Sequence, residues 1–347
     1  MPLSSSQLSP ILASYGLVAQ PAEPQPCQVY RGFSGAEVYR VETNRGPVAL
    51  RKWPQESPPR ERILSLHRLL RHLHKVGLKT IAVPFSTEQG ADQTLVHFRG
   101  STWQCEQWLP GEPLLNTQVT PERIRTTMHA LADWHLAASQ FQPDLVAHRW
   151  FRQTAQAAVP ALKERLNLIH LWTPERISHT LRRTQPAINP WQKWVHEYLE
   201  YFVRCSNPIS LELSEAMTWQ VPLQPCLRDV WHDHILLEND QVTGIIDPSA
   251  TRTENVSIDL ARLLGSFLSL DDPLWGIALH AYQQKRSLNT AEIRLVEILY
   301  RSSTLLSGLS WIERLTGSEP DLYHDSRVCN RLEYLLTSLK YLPKHMK

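Results

Sequence analysis

The chain has 347 residues, 42% of them hydrophobic and 20% charged, which is enough for two cored lobes and excludes wholesale disorder. With 36 basic against 34 acidic residues the net charge is only +2. Composition therefore gives no drive toward nucleic acid or an anionic membrane, and any charged partner must be recognised locally.

Five cysteines are scattered without a CxxC pair, which argues against a disulfide framework and against a zinc site. Residues 1–14 lack a basic n-region and a long apolar stretch, and no run approaches the ~20 apolar residues of a membrane span. A reduced, cytoplasmic protein without membrane or nucleic-acid partners is the expectation.

Residues 1–105 read mostly as strands around one strong helix. Gln28-Val29-Tyr30 leads into Gly32-Phe33-Ser34-Gly35, and residues 37–42 then alternate apolar and polar at a strand period. Asn44-Arg45-Gly46 signals a turn, after which residues 47–53 return as a second strand. A proline-rich linker, 54–59, precedes a helix over about 60–76, whose Ile63, Leu66, Leu69, Leu70 and Leu73 recur at spacings of three and four and which Gly77 stops. Residues 94–98 and 102–106 form a hairpin around Arg99-Gly100-Ser101, and Gln107-Trp108-Leu109-Pro110-Gly111 reads as a connector.

Beyond the connector the pattern turns helical, with helices expected over 121–139, 160–169, 191–204, 273–284 and 290–315. One short hairpin interrupts them: Ile235-Leu236-Leu237, a turn at 238–240, and residues 242–246. The expected architecture is α+β, with a small β-rich lobe over 1–106 and a larger helical lobe over 107–347 that carries the hairpin.

Chemistry concentrates around that hairpin. Asp229 and His234 precede its first strand and Asp247 follows its second, and a hairpin returns those two ends to the same end of the ladder. An isolated aspartate is ordinarily a cap or a loop residue. Two of them at one hairpin mouth suit phosphoryl transfer, in which one carboxylate takes the proton of an attacking hydroxyl and another holds Mg²⁺ against phosphates. Asp259 opens an apolar helical run and reads as a cap or a loop anchor.

Upstream, Val48-Ala49-Leu50-Arg51 reads as the kinase Val-Ala-Ile-Lys strand with Arg at the cation position, and the alternation sends Lys52 to the opposite face. Segment 226–265 and segment 29–53 together resemble the aminoglycoside phosphotransferase and choline kinase group, which has a protein kinase-like fold. The resemblance extends over about residues 10–315. It implies a small-molecule kinase using ATP and Mg²⁺, with a small-molecule hydroxyl acceptor bound in the helical lobe. It implies Asp229 as catalytic base, Asp247 and His234 at the metal, and Gly32, Ser34, Gly35 and Arg51 on the phosphates. Gln107 and Leu109 then lie in the adenine-reading hinge.

Three positions depart from the family pattern: Leu227 replaces a His, His234 replaces a metal-binding Asn, and His67 stands where the helix Glu that orients the cation is expected. Either Glu61 supplies that pairing or the pair is absent. These departures motivate an alternative, a nucleotide-binding pseudokinase or regulatory module. A third reading, a metal-dependent hydrolase built on His232, Asp233, His234 and Asp247, is disfavoured because side chains on one short loop do not all converge. No marked acidic cluster lies in 140–225 or 270–347, so a polycationic aminoglycoside is not favoured over another hydroxyl compound.

Overall fold

A computed structural model describes residues 3–20, 27–31, 35–317 and 319–342. In chain order the elements begin with α1 (Ser5–Ala13), β1 (Gln28–Arg31), β2 (Glu37–Thr43), β3 (Gly46–Lys52), α2 (Arg60–Lys75), β4 (Leu95–Phe98), β5 (Ser101–Gln107), β6 (Glu112–Pro113) and α3 (Pro121–Ala138). They continue with β7 (Thr154–Ala157), α4 (Pro160–His170), α5 (Pro174–Arg183), α6 (Pro190–Ala216), β8 (Val221–Cys226), β9 (Ile235–Glu238) and β10 (Gln241–Ile245). The last are β11 (Arg252–Glu254), α7 (Ser257–Leu264), α8 (Pro273–Gln283), α9 (Thr290–Leu306), α10 (Leu309–Thr316) and α11 (Ser326–Tyr341).

The chain divides into two compact units, one of residues 1–152 with 232–252, the other of 153–231 with 253–347. This division differs from the expected boundary after residue 106. The reason is pairing across long sequence distances. β6 pairs with β9, the Leu114 amide donates to the Ile235 carbonyl at 2.9 Å, and the Ile245 amide donates to the Thr80 carbonyl at 2.7 Å. Arg123 and Thr126 of α3 bond Asp240 in the hairpin turn. These bonds tie the connector and α3 to the hairpin, and the hairpin to the segment after α2.

In the first unit an antiparallel sheet runs in the order β1-β2-β3-β5-β4. Alternation sorts its side chains. Val48, Leu50, Trp103 and Cys105 join Leu8, Ile11 and Leu12 of α1 and Tyr15 in one core. Full burial of each such aliphatic side chain stabilises by about 2 kcal/mol. The opposite face presents Ala49, Arg51, Gln104 and Glu106, with Arg51 paired to Gln104 and Ala49 to Glu106 across β3 and β5. α2 supplies the buried Ile63, Leu66, His67 and Leu70, and Ile63 packs with Trp53 and Leu95. Helix α1 has no counterpart in the sequence reading; Ser4 closes it with a capping box to Gln7.

The second unit is mainly helical, with β8 between β7 and β11. Cap residues followed by proline start several helices, as at Thr173-Pro174, Asn189-Pro190 and Asp272-Pro273. Two expected boundaries move. α6 continues past Arg204 through Pro208 to Ala216, because Ile209, Leu213 and Ala216 are buried and offset the lost backbone bond. The long helix expected over 290–315 breaks at Gly308. There the Tyr198 hydroxyl accepts from the Gly308 amide at 2.8 Å, and any Cβ at 308 would overlap the Tyr198 ring. Among the described residues no helix is long and apolar enough to cross a membrane.

Candidate active site

The first unit places Arg51 and Asp247 together. Strand β3 directs the Arg51 guanidinium away from the α1 core, and its Nη1 lies 3.0 Å from Asp247 Oδ1. Lys52, on the other face as alternation requires, instead sits 3.6 Å from Glu37. Asp247 has left-handed backbone angles, φ 55° and ψ 58°, which cost a non-glycine residue about 1–2 kcal/mol. Local bonds hold this conformation. Ser249 Oγ donates to Asp247 Oδ1 at 2.9 Å, and Arg62 of α2 donates to the Ser249 and Thr251 carbonyls, both at 3.0 Å. Burial beside Arg252 lowers the Arg62 pKa, as expected for a guanidinium used as a clamp.

His234 and Asp247 flank the last rung of the hairpin, where the Ile246 amide donates to the His234 carbonyl at 2.9 Å. The His234 ring is mostly covered, with Nε2 3.9 Å from Asp233 Oδ1. His232 turns away and its Nδ1 donates to the Leu114 carbonyl at 2.7 Å. Among the described residues no three of His232, Asp233, His234 and Asp247 gather ligand atoms within 4.8 Å of one another, which removes support from a hydrolase centre.

The cation-orienting glutamate is replaced by a neutral network. Buried His67 meets Thr94 Oγ1 through Nδ1 at 2.6 Å and Gln104 Oε1 through Nε2 at 3.1 Å. Because the amide oxygen accepts, Nε2 carries the proton, and burial lowers the ring's pKa to about 4. Gln104 also accepts from Trp53 Nε1 at 2.9 Å and donates to Glu106 Oε2 at 2.9 Å. Burial raises the Glu106 pKa, and the nearby Arg51 charge opposes that rise. Arg51 thus faces the carboxylates of Asp247 and Glu106, and among the described residues it forms no ion pair with Glu61.

The hinge segment is shaped by the hairpin beneath it. Gly111 has φ +100°, and a Cβ there would meet Thr243 Oγ1 and lie 2.9 Å from the Leu237 carbonyl oxygen. Leu109 is buried, and its Cδ1 would lie 2.8 Å from any Cβ on Gly244. Its side chain is therefore committed to the hairpin rather than offered for stacking, while Gln107 ends β5 with an exposed side chain. Gly35 has φ +77°, with room above it. Gly32 and Ser34, expected on the phosphates, lie outside the described residues.

The second unit holds Asp229. The loop after β8 is clamped by Asp259, which is fully buried and accepts from the Leu227 amide at 2.7 Å and the Arg228 amide at 2.6 Å. The loop-anchor reading of Asp259 matches this geometry. Arg228 takes a left-handed φ of 65° and pairs with Glu164 at 2.7 Å. Buried Leu227 stands where a histidine was expected, and its backbone is held by Asp259 all the same. Asp229 Oδ1 accepts from Trp231 Nε1 at 2.7 Å and from Arg262 Nη2 at 2.8 Å, and its side chain stays 49% exposed. Arg262 follows the Asp259-Leu260-Ala261 string, yet nothing in the sequence reading marked it, or Trp231, as a partner of Asp229.

A model of the phosphotransferase enzyme family matches residues 28–296. The chain belongs to that family. No curated protein matches this phosphotransferase. Among solved structures it is similar to spectinomycin phosphotransferase in complex with ADP and spectinomycin, at 13% identity and TM-score 0.65, covering 100% of this chain and 96% of that one. It is also similar to amicoumacin kinase hAmiN in complex with AMP-PNP, Ca²⁺ and Ami, at 13% identity and TM-score 0.63, covering 92% and 89%. A third is an aminoglycoside phosphotransferase from Alicyclobacillus acidocaldarius, at 16% identity and TM-score 0.53, covering 92% of each chain. At such identities the likeness shows the fold. This phosphotransferase therefore has the α+β kinase-like fold expected from its sequence, with a β-sheet N-terminal region and a helical C-terminal region.

Proposed function

We propose that this phosphotransferase moves the γ-phosphoryl group of ATP to a hydroxyl of a small molecule, with Asp229 as base. The observation that carries the reading is the Arg51–Asp247 pair, a phosphate-type cation and a metal-type carboxylate brought together 3.0 Å apart from opposite ends of the family motif.

The residues present fit a divalent ion. Asp247 is a hard oxygen donor whose side chain keeps 33% exposure, Ser249 adds a hydroxyl beside it, and Mg²⁺ needs only one or two protein ligands. His234 is the second candidate ligand, and an imidazole there suits Mn²⁺ better than Mg²⁺. A bound Mg²⁺ would neutralise charge on the phosphates. Arg51 shifts its guanidinium from Asp247 to phosphate oxygens. Gly35 meets the phosphates through its backbone, and the hinge backbone around Gln107 and Leu109 reads the adenine edge. Asp229 takes the acceptor proton, its carboxylate oriented by the Trp231 and Arg262 bonds to Oδ1.

The test is Asp229→Asn, assayed for acceptor-dependent ADP formation. A loss of about 10²–10⁴-fold with an unchanged circular dichroism spectrum is expected of a removed base. Full turnover by the variant would refute the assignment. The pseudokinase reading has one specific observation in its favour: Asp229 and Asp247 are each already held by an arginine. It predicts ATP-dependent thermal stabilisation with no ADP formed on any acceptor.

A further inference from the structure

In the second unit, Trp231 follows Asp229 by two positions on the loop after β8, and its Nε1–H donates to Asp229 Oδ1 at 2.7 Å. The outer side-chain torsion of a tryptophan has a broad energy well, so one bond at the ring edge does not by itself fix the ring plane. Two guanidinium groups do so. Arg262 lies 3.9 Å and Arg331 3.8 Å from the ring centroid, well within the range at which a cation is drawn to an indole face. Arg262 also donates to Asp229 Oδ1 at 2.8 Å, so it contacts both the ring and the carboxylate. Arg331 contributes from α11, and it reaches the ring from a different helix.

Helix α11 is a fixed platform for that contact. Its Val328, Leu332, Leu335 and Leu339 are buried. Trp194 Nε1 of α6 donates to the Leu332 carbonyl at 2.7 Å, and the Tyr334 hydroxyl donates to the carbonyl of Gly265, at the end of α7, also at 2.7 Å. Arg262 stands on α7. The two arginines against Trp231 therefore come from helices that are bonded to each other. Arg331 also lies 5.5 Å from the ring of Tyr334, its neighbour one turn along the helix. Helix α11 follows the segment 28–296 matched by the family model, so this support comes from a part of the chain beyond that segment.

Resting on the reading of Asp229 as base, we propose that Arg331 is a positioning residue for phosphoryl transfer. It holds the Trp231 ring in the plane that keeps the indole N–H on Asp229 Oδ1, and so fixes the direction from which the carboxylate meets an acceptor hydroxyl. Arg331 acts through Trp231 and not on the acceptor. Misplacing a reacting group slows the chemical step and leaves nucleotide binding as it was.

Indole N–H NMR of the full chain tests this, with Trp231→Phe identifying the Trp231 signal among those of the twelve tryptophans by its loss. In Arg331→Ala that signal moves upfield and exchanges with solvent about tenfold faster or more, while the other indole signals stay in place. Arg331→Lys, which keeps a cation over the ring, restores most of both. Should Arg331→Ala not fold, Arg331→Met, which keeps the stem without the charge, gives the same changes. ADP formation from ATP with glucose, glycerol and kanamycin as acceptor probes reads the consequence. Trp231→Phe and Arg331→Ala each lower kcat by about tenfold or more, with the KM for ATP changed less than about twofold. A Trp231 signal left in place by Arg331→Ala, whatever the melting temperature does, overturns the inference, and so does an unchanged kcat in both variants. A wild-type chain that forms no ADP on any probe counts against the transfer reading alone, and the indole signal still decides whether Arg331 holds the ring.

Discussion

Asp259→Asn is the sharpest probe of how the fold holds the loop that carries Asp229. Asp259 is fully buried and receives two backbone amides, Leu227 at 2.7 Å and Arg228 at 2.6 Å, so both carboxylate oxygens are in use. Hydrogen bonds to a charged acceptor are worth about 1.5–3 kcal/mol each, which puts the pair near 3–6 kcal/mol. Asparagine keeps one acceptor and turns an NH₂ toward the other amide, so roughly 2–4 kcal/mol is lost with almost no change of volume. Part of the loss is local, because Arg228 is held at φ 65° by these bonds and relaxes without them. Urea denaturation measures the global term. Hydrogen exchange measures the local one, and the Leu227 and Arg228 amides should exchange roughly 30-fold faster or more. Phosphoryl transfer falls as well, since Asp229 is the next residue along. Stability within about 0.5 kcal/mol of wild type, with unchanged exchange at both amides, would show that the loop does not depend on Asp259.

Arg51→Ala should raise the KM for ATP by about tenfold or more while Arg51→Lys recovers part of it, measured by ADP formation at varied ATP. His67 should make stability pH-dependent. Its folded pKa of about 4 lies below the unfolded value near 6.5, so the unfolded chain binds the proton first. Stability is then full above about pH 6.5 and declines toward pH 4, by about 3 kcal/mol at most, and a His67→Gln variant shows a shallower decline by urea titration. Gly111→Ala combines a positive φ with a contact to the Leu237 carbonyl, and should lower the melting temperature through a loss of about 2–4 kcal/mol.

The strands of the N-terminal sheet and most of the long helices were legible because their evidence is local. Alternation marks β2, the turn at 44–46 introduces β3, and threefold and fourfold spacing marks α2. The candidate site residues were read as a motif, and the structure sets Arg51 3.0 Å from Asp247. Its partners were not. Nothing near His67 in sequence announces that it bonds Thr94 and Gln104, since the contact depends on how α2 lies across β4 and β5. The break at Gly308 was equally hidden, because Tyr198 reaches it from a helix more than a hundred residues earlier.

Taken alone, the order of residues determined the period of each element, the turn positions and the motif that marks the phosphotransferase family. Those properties depend on neighbours a few residues apart. The tertiary structure decided which charge meets which: Arg51 with Asp247 and not Glu61, Asp229 with Arg262, and the Leu227 and Arg228 amides with Asp259. Such pairings rest on strand register and helix packing over long separations, where a single-residue slip sends a side chain to the other face.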